Sequence, residues 1–268
     1  MAPLAVSGPF DLALTTERFR VFGVDRATVW HEGGLHRVVG GREVRIEAAP
    51  GGVDVEPLDA ETEPVVRTLL GLVFELEPFY VWAAGDEVLG PATKRLGGFR
   101  PSLAPDPFEM LVGAITAQQV SLFAATAIRN RMTERFGTQV GAAWSFPTRD
   151  ALAAATEEEL VALGFSRRKA EYTIGLARAD IDLDELAALP DDEVKARLTA
   201  LRGIGEWTAE WFLARHLARP NAWPWGDLAL RKAVASLYGG LDVREARERF
   251  HPYENLSAHY LLLAQRVP

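Results

Sequence analysis

Leu201-Arg202-Gly203-Ile204-Gly205-Glu206-Trp207-Thr208-Ala209 is the stretch on which the reading of this chain turns. Two glycines one residue apart interrupt an otherwise helical pattern. That spacing predicts a tight hairpin with backbone at positive φ and a close approach to a partner. Helical spacing resumes at once, with Ile204, Trp207 and Trp211 on one face, and it runs upstream through Val194, Leu198 and Leu201 after Pro190 and the cap candidate Asp191. The stretch therefore reads as a helix-hairpin-helix. Free N–H groups at the start of its second helix, aligned with the helix dipole, suit a phosphate. A bare Gly-x-Gly is more often an ordinary helix connection closed by a C′ glycine, and the flanking residues decide against that here.

Downstream lies Trp223-Pro224-Trp225-Gly226-Asp227-Leu228-Ala229-Leu230-Arg231-Lys232-Ala233-Val234. Asp227 stands where a helix starts, so its first expected role is an N-cap. Four of the seven Trp, at 207, 211, 223 and 225, crowd this region, more than core packing ordinarily requires. Trp207 and Trp211 share a helix face, whereas Trp223 and Trp225, flanking Pro224, read as core staples.

The 268 residues, 48% hydrophobic, suffice for a sizeable core and one to three domains. With Cys at zero, a disulfide, a thiolate metal site and a cysteine-ligated iron–sulfur cluster are all excluded. Met1 to Phe10 lacks the pattern of a secretory signal and no apolar run reaches membrane-spanning length, so a cytoplasmic protein with no membrane partner is expected. The net charge of −8 opposes non-specific nucleic-acid binding. Residues 1–97 hold 9 Lys+Arg against 15 Asp+Glu and residues 98–268 hold 20 against 22, so the acidity is concentrated at the N-terminal end. An anchor built from backbone amides needs few cations, and low, salt-sensitive affinity follows.

From Phe10 to about Val55, β-rich runs such as Thr28–His31 and Val44–Glu47 alternate with Gly-Gly turns and read as an antiparallel sheet. Val65, Val66, Leu69, Leu70 and Val73 then take helical spacing, so a helix over residues 63–74 covers one sheet face. Asp106-Pro107-Phe108-Glu109 reads as a capping box opening a helix to Ala117. After Gln118-Gln119-Val120-Ser121 a second helix carries Leu122, Ala125, Ile128, Met132 and Phe136 inward to Gly137. Thr156–Glu159 and Asp242–Glu245 read as further capping boxes, and Ser166 as the cap of a helix opening Arg167-Arg168-Lys169, a solvated face or a DNA contact. A break at His251-Pro252 precedes a last helix through Leu261.

Leu-x-Gly-Ile-Gly-x-Trp-Thr-Ala, the aromatic at 211 and Trp-Gly-Asp-Leu-Ala-Leu-Arg-Lys-Ala-Val together resemble the helix-hairpin-helix DNA glycosylase superfamily, and within it the 3-methyladenine DNA glycosylase II branch. The resemblance covers residues 98–268 strongly and the first hundred weakly. It implies an α+β, mainly helical chain: an N-terminal sheet domain at residues 1–97, one lobe from 98–118 and 222–268, and a central lobe at 119–221 carrying the hairpin. It implies a monomer acting on double-stranded DNA in base excision repair, flipping out an alkylated, cationic purine and hydrolysing its glycosidic bond. Asp227 would be the catalytic carboxylate, stabilising an oxocarbenium-like sugar. Trp207, Trp211 and Phe250 would line the base pocket, where a cation over an indole gains about 0.5–2 kcal/mol. Gln119, or Gln118 one residue away, would be the wedge side chain, with Gly203, Gly205 and Thr208 holding DNA.

Relatives that also cut the backbone carry a lysine where Trp207 stands here, which implies a monofunctional enzyme. No cofactor is implied beyond a Na⁺ or K⁺ at the carbonyls of Thr199, Leu201 and Gly203. Where family members follow the Pro-aromatic step with Arg, this chain has Glu254 after Pro252-Tyr253. Deaminated or etheno purines as substrates, and a non-catalytic damage-binding protein, are the alternatives.

Overall fold

A computed structural model describes residues 1–267. Strands β1 (Ala2–Ala5), β2 (Thr28–His31), β3 (Gly34–Val39), β4 (Arg42–Ala49) and β5 (Gly52–Glu56) form one antiparallel sheet in the order β1-β5-β4-β3-β2. Alternation along β4 buries Val44 and Ile46 on one face, and Val53 and Val55 of β5 join them. Short helices α1 (Leu12–Thr15) and α2 (Arg18–Val21) sit between β1 and β2, and α3 (Thr62–Leu69) covers the sheet with Val66 and Leu69. α3 stops at Leu69, short of the expected residue 74, and Val73 is exposed.

The rest is mainly helical. In chain order come α4 (Leu76–Ala83), α5 (Leu89–Arg95), α6 (Pro107–Ala117) and α7 (Leu122–Phe136), then a two-residue ladder of β6 (Gln139–Val140) and β7 (Ala143–Trp144). α8 (Arg149–Ala154), α9 (Glu157–Ala162), α10 (Arg167–Arg178), a 3-10 turn at Glu185–Ala188, α11 (Asp191–Thr199) and α12 (Glu206–Arg215) follow. α13 (Leu228–Leu237), α14 (Ala246–Arg249) and α15 (Glu254–Ala264) complete the chain.

Side chains cap several of these helices. Asp106 accepts the Glu109 amide at 2.6 Å with Pro107 at the first position, Ser121 accepts from Ala124 and Ser166 from Lys169. Thr156 and Glu159 close a full capping box. The Asp106 box is only half made, because Glu109 turns instead to Arg37 on β3 in a bidentate pair that ties the sheet to α6. Asp242 forms no box: its carboxylate accepts from the Arg244 amide in a turn, and α14 starts at Ala246. Asp191 is the first helical residue after Pro190 and binds Arg219 at 3.1 Å. Lys169 of the basic run is buried, its Nζ donating to the Thr116 carbonyl near the end of α6 at 2.9 Å, so it faces no solvent.

Three hydrophobic clusters cut the chain elsewhere than at the expected boundaries of 97/98 and 118/119. The sheet cluster ends at Leu70. A second joins α4 and α5 to the C-terminal helices, with Phe79 against Tyr253 and Tyr260. The third is central and includes α6, with Phe108, Leu111 and Ile115, alongside Ile204, Trp211 and Phe212. We therefore assign α4 and α5 to the C-terminal lobe and α6 to the central lobe. Among the described residues no helix is long and apolar enough to cross a membrane.

Candidate active site at the hairpin and Asp227

α11, the turn at residues 200–205, and α12 make the helix-hairpin-helix. Gly203 has φ +89, and a Cβ there would collide with the Tyr172 ring of α10. Tyr172 thus fills the space on the α-carbon side of this glycine. Gly205 is different: it is extended (φ −104), exposed and open on its α-carbon side. It caps α12 without a side chain, and its carbonyl takes the Thr208 and Ala209 amides, which leaves the first amides of α12 pointing outward. Thr208, expected at DNA, is buried with its amide engaged, so its side chain is no surface contact.

Asp227 is the N-cap of α13, part-exposed, with both oxygens occupied by N–H donors. Oδ1 accepts from the Ala229 and Leu230 amides at 2.9 and 3.0 Å, and Oδ2 accepts from the indoles of Trp207 and Trp211, each at 3.1 Å. The two Trp, four residues apart on α12, thus place their ring nitrogens on one carboxylate oxygen. Four converging donors with no acceptor among them suit an anion held in fixed orientation.

The aromatic residues divide. Trp207 is partly open, with Gly226 packed on it. Trp211 is 4% exposed, with the Arg215 guanidinium 4.1 Å over its ring and His259 edge-on at 5.6 Å. A cationic base therefore meets an occupied face at Trp211. Phe250, expected in the pocket, is fully buried between Trp223 and Tyr238 in the C-terminal lobe, because the turn after α14 directs it into the core. Trp223 is a core staple, as its spacing suggested, donating to the Val243 carbonyl. Trp225 lies under Arg244.

Between α6 and α7 the two glutamines differ. Gln118 Nε2 donates to the Gly203 carbonyl at 2.9 Å, tying this loop to the hairpin. Gln119 is exposed at φ +55, a conformation that costs a non-glycine residue about 1–2 kcal/mol. Beside it Val120, Leu122 and Phe123 are exposed, so Leu122 does not turn inward as its spacing suggested, and Phe123 meets Phe22 edge-on. Leu228 next to Asp227 is exposed as well. Such an apolar rim suits contact with unstacked bases.

The hairpin carbonyls have the chemistry for a monovalent cation, being neutral hard oxygens. Leu201 O accepts the Ile204 amide at 3.1 Å and Gly203 O accepts Gln118, which leaves a lone pair on each. No group of three or more His, Asp or Glu fit for a metal occurs among the described residues. Two surface hollows, lined by residues such as Glu157 and Arg167 or Glu171 and Arg202, include none of the groups around Asp227.

Sequence reasoning missed a group behind Trp211. Arg18 of α2, Arg129 of α7, Arg215 of α12 and Arg266 repel one another there, and His259 of α15 joins them. Arg129 pairs with Asp25 and Arg266 with Glu17, whereas Arg215 meets no carboxylate within 4 Å among the described residues. The signal available was the polar pair Asn255 and His259, four apart in an apolar run.

The hairpin, the carboxylate beside it and the loop bound to it define a helix-hairpin-helix protein with a fixed anionic site. Residues 112–252 match the model of the HhH-GPD superfamily base excision DNA repair protein, and the chain belongs to that family. It is 30% identical over 171 residues to DNA-3-methyladenine glycosylase of Bacillus subtilis, covering 61% of this chain but only 56% of that protein, so the match spans little more than half of that relative's length. It is 32% identical over 161 residues to DNA-3-methyladenine glycosylase 1 of Schizosaccharomyces pombe, covering 57% of this chain and 68% of that one. A solved structure of 3-methyladenine DNA-glycosylase from Archaeoglobus fulgidus superposes with a TM-score of 0.89 at 31% identity, covering 100% of this chain and 99% of that chain.

Proposed function

We propose that this protein is a monofunctional DNA glycosylase that hydrolyses the bond between a damaged purine and deoxyribose in double-stranded DNA. The observation that carries the reading is the Asp227 carboxylate, held by four N–H donors beside an open hairpin in a chain of this family. The relatives' names point to 3-methyladenine as the first substrate to test. In this reading the damaged nucleotide leaves the duplex, Gln119 enters the gap, and the outward amides at Gly205 hold a phosphate. As the glycosidic bond stretches, positive charge grows on the sugar and Asp227 stabilises it and orients water. Trp207, the more open indole, is the stacking surface.

The side chains donating to Asp227 are two indoles, and neither can form a Schiff base, which supports base release without strand cleavage. The carbonyls of Thr199, Leu201 and Gly203 would hold a Na⁺ or K⁺, whose charge would help bind a phosphate. The test is release of free bases from methylated duplex DNA by the wild type and by Asp227→Asn. Release of 3-methyladenine by the wild type alone supports the reading; equal release by both removes Asp227 from it. A borohydride-trapped covalent DNA adduct would refute the monofunctional assignment.

A further inference from the structure

α6 stops just before the loop that carries both glutamines, and a residue from another helix closes its end. Thr116 is fully buried and its hydroxyl donates to the Val112 carbonyl at 2.8 Å, while its own carbonyl is among the unpaired groups of a helix C-terminus. In a helix running one turn further, that carbonyl would take the Val120 amide. Lys169 of α10 stands in for that amide, its Nζ donating at 2.9 Å. The negative end of the α6 dipole favours the ammonium form, whereas burial, with no carboxylate in opposition, lowers its pKa. Ala170, Ile174 and Ala177 of the same helix enter the central core, so filling the interior does not require an amine here.

Lys169 belongs to a closed set of contacts. Gln118 caps α6 with ψ 127 and donates to the Gly203 carbonyl, Gly203 packs on Tyr172, and Tyr172 stands three residues after Lys169 on α10. Glu171 pairs with Arg202 in the hairpin turn. Between these contacts and the Ser121 cap of α7 stands Gln119 in its left-handed conformation, which persists where flanking contacts over-determine it.

We infer that Lys169 is a positioning residue for base extrusion: by taking the Thr116 carbonyl, its ammonium stops α6 at Ala117 and sets the glutamine loop against the hairpin. This rests on the glycosylase reading above. α10 then fixes the loop and the hairpin relative to each other, so a phosphate held at Gly205 and the side chain entering the duplex keep a constant separation. Without the ammonium, the Thr116 carbonyl turns to the Val120 amide, α6 gains a turn, and Gln118 and Gln119 rotate away from the hairpin.

The experiment compares wild type, Lys169→Met and Lys169→Arg on two duplexes, with thermal melting of each protein. One duplex holds a tetrahydrofuran abasic analogue beside 2-aminopurine, whose fluorescence rises when a protein side chain opens the stack. The other is methylated and reports single-turnover release of 3-methyladenine. Lys169→Met should bind the abasic duplex within about threefold of wild type, because the hairpin is intact, yet slow both the fluorescence rise and base release by about 10-fold. Lys169→Arg, which keeps the charge and the N–H donors, should bring both back to within about threefold. Should Lys169→Met not melt cooperatively, the Arg variant carries the test, since a folded Lys169→Arg that binds without the fluorescence rise overturns the inference. A wild-type fluorescence rise in Lys169→Met overturns it too. So does a folded Met variant that loses binding and fluorescence in step, which would leave Lys169 a support of the fold alone. The abasic duplex needs no catalysis. A wild type that raises the fluorescence but releases no base removes the glycosylase reading and leaves the fluorescence to decide for Lys169; one that releases base without raising the fluorescence removes this inference alone.

Discussion

Arg215 holds its guanidinium carbon 4.1 Å above the ring of Trp211, and the same indole donates to Asp227 at 3.1 Å. One aromatic side chain thus links a buried cation to the carboxylate. Its Nε1 orients Asp227, and its ring face already carries a charge that a cationic base would have to displace or repel. Trp207, one helical turn away on the same helix, keeps a partly open indole.

Asp227→Asn should separate catalysis from stability. Asn caps a helix about as well as Asp, so the melting temperature should correspond to a change within about 1 kcal/mol. The lost charge, and an amide N–H₂ or a single carbonyl facing two indole donors, should slow base release by about 100-fold or more. Single-turnover kinetics beside thermal melting check both halves. A large drop in stability would mean that the indole contacts matter more to folding than the cap does.

The two hairpin glycines should respond in opposite ways. Gly203→Ala places a Cβ at φ +89 and into the Tyr172 ring, and a loss of about 2–4 kcal/mol is expected in denaturant unfolding. Gly205→Ala meets neither obstacle and should stay within about 1 kcal/mol of wild type. Its new methyl group lies at the exposed hairpin tip, so it should weaken binding to abasic duplex DNA. A Gly205→Ala protein with unaltered DNA affinity would remove the hairpin amides from the interface.

Local chemistry made much of this legible. Gly203 and Gly205 between amphipathic helices announced the hairpin, Pro107 and the cap residues marked helix starts, and Asp227 stood at a helix N-terminus. Contacts distant in sequence were not legible. Nothing in Thr208 or Phe250 says which face of its segment the fold will cover, and Lys169 in a basic run gives no sign that it will reach the end of α6. The Arg18, Arg215 and His259 cluster comes from three elements spread over more than two hundred residues, and only tertiary packing brings them together.

Acid should destabilise the protein partly through His259. Burial and Arg215 lower its folded pKa to about 3 from 6.5, so between those values the unfolded chain binds a proton that the folded protein refuses. Stability therefore falls as pH drops through that window, with a slope of up to about 1.4 kcal/mol per pH unit. Burial lowers His216 in the same direction, so the wild-type curve contains both. Urea unfolding at pH 7, 6 and 5 for wild type and His259→Gln isolates the share of His259. The variant should show the shallower slope, and parallel curves would show that His259 titrates normally in the fold.

Gln119→Gly puts the loop between α6 and α7 to a test in which stability and activity should move apart. At φ +55 a glycine is unstrained and a glutamine is not, so the substitution should stabilise the fold by up to about 1 kcal/mol. The same change removes the exposed side chain proposed to fill the gap in the duplex, and the extruded nucleotide should return to the stack more readily, slowing base release by about 10-fold or more. Gln118→Ala supplies the contrast. It removes the 2.9 Å hydrogen bond to Gly203 that ties this loop to the hairpin, so it should lower stability together with activity. A fluorescent base analogue at the lesion position reports extrusion directly. If Gln119→Gly extrudes as well as the wild type while Gln118→Ala does not, the wedge is Gln118, and the left-handed turn at Gln119 serves to point its neighbour at the hairpin.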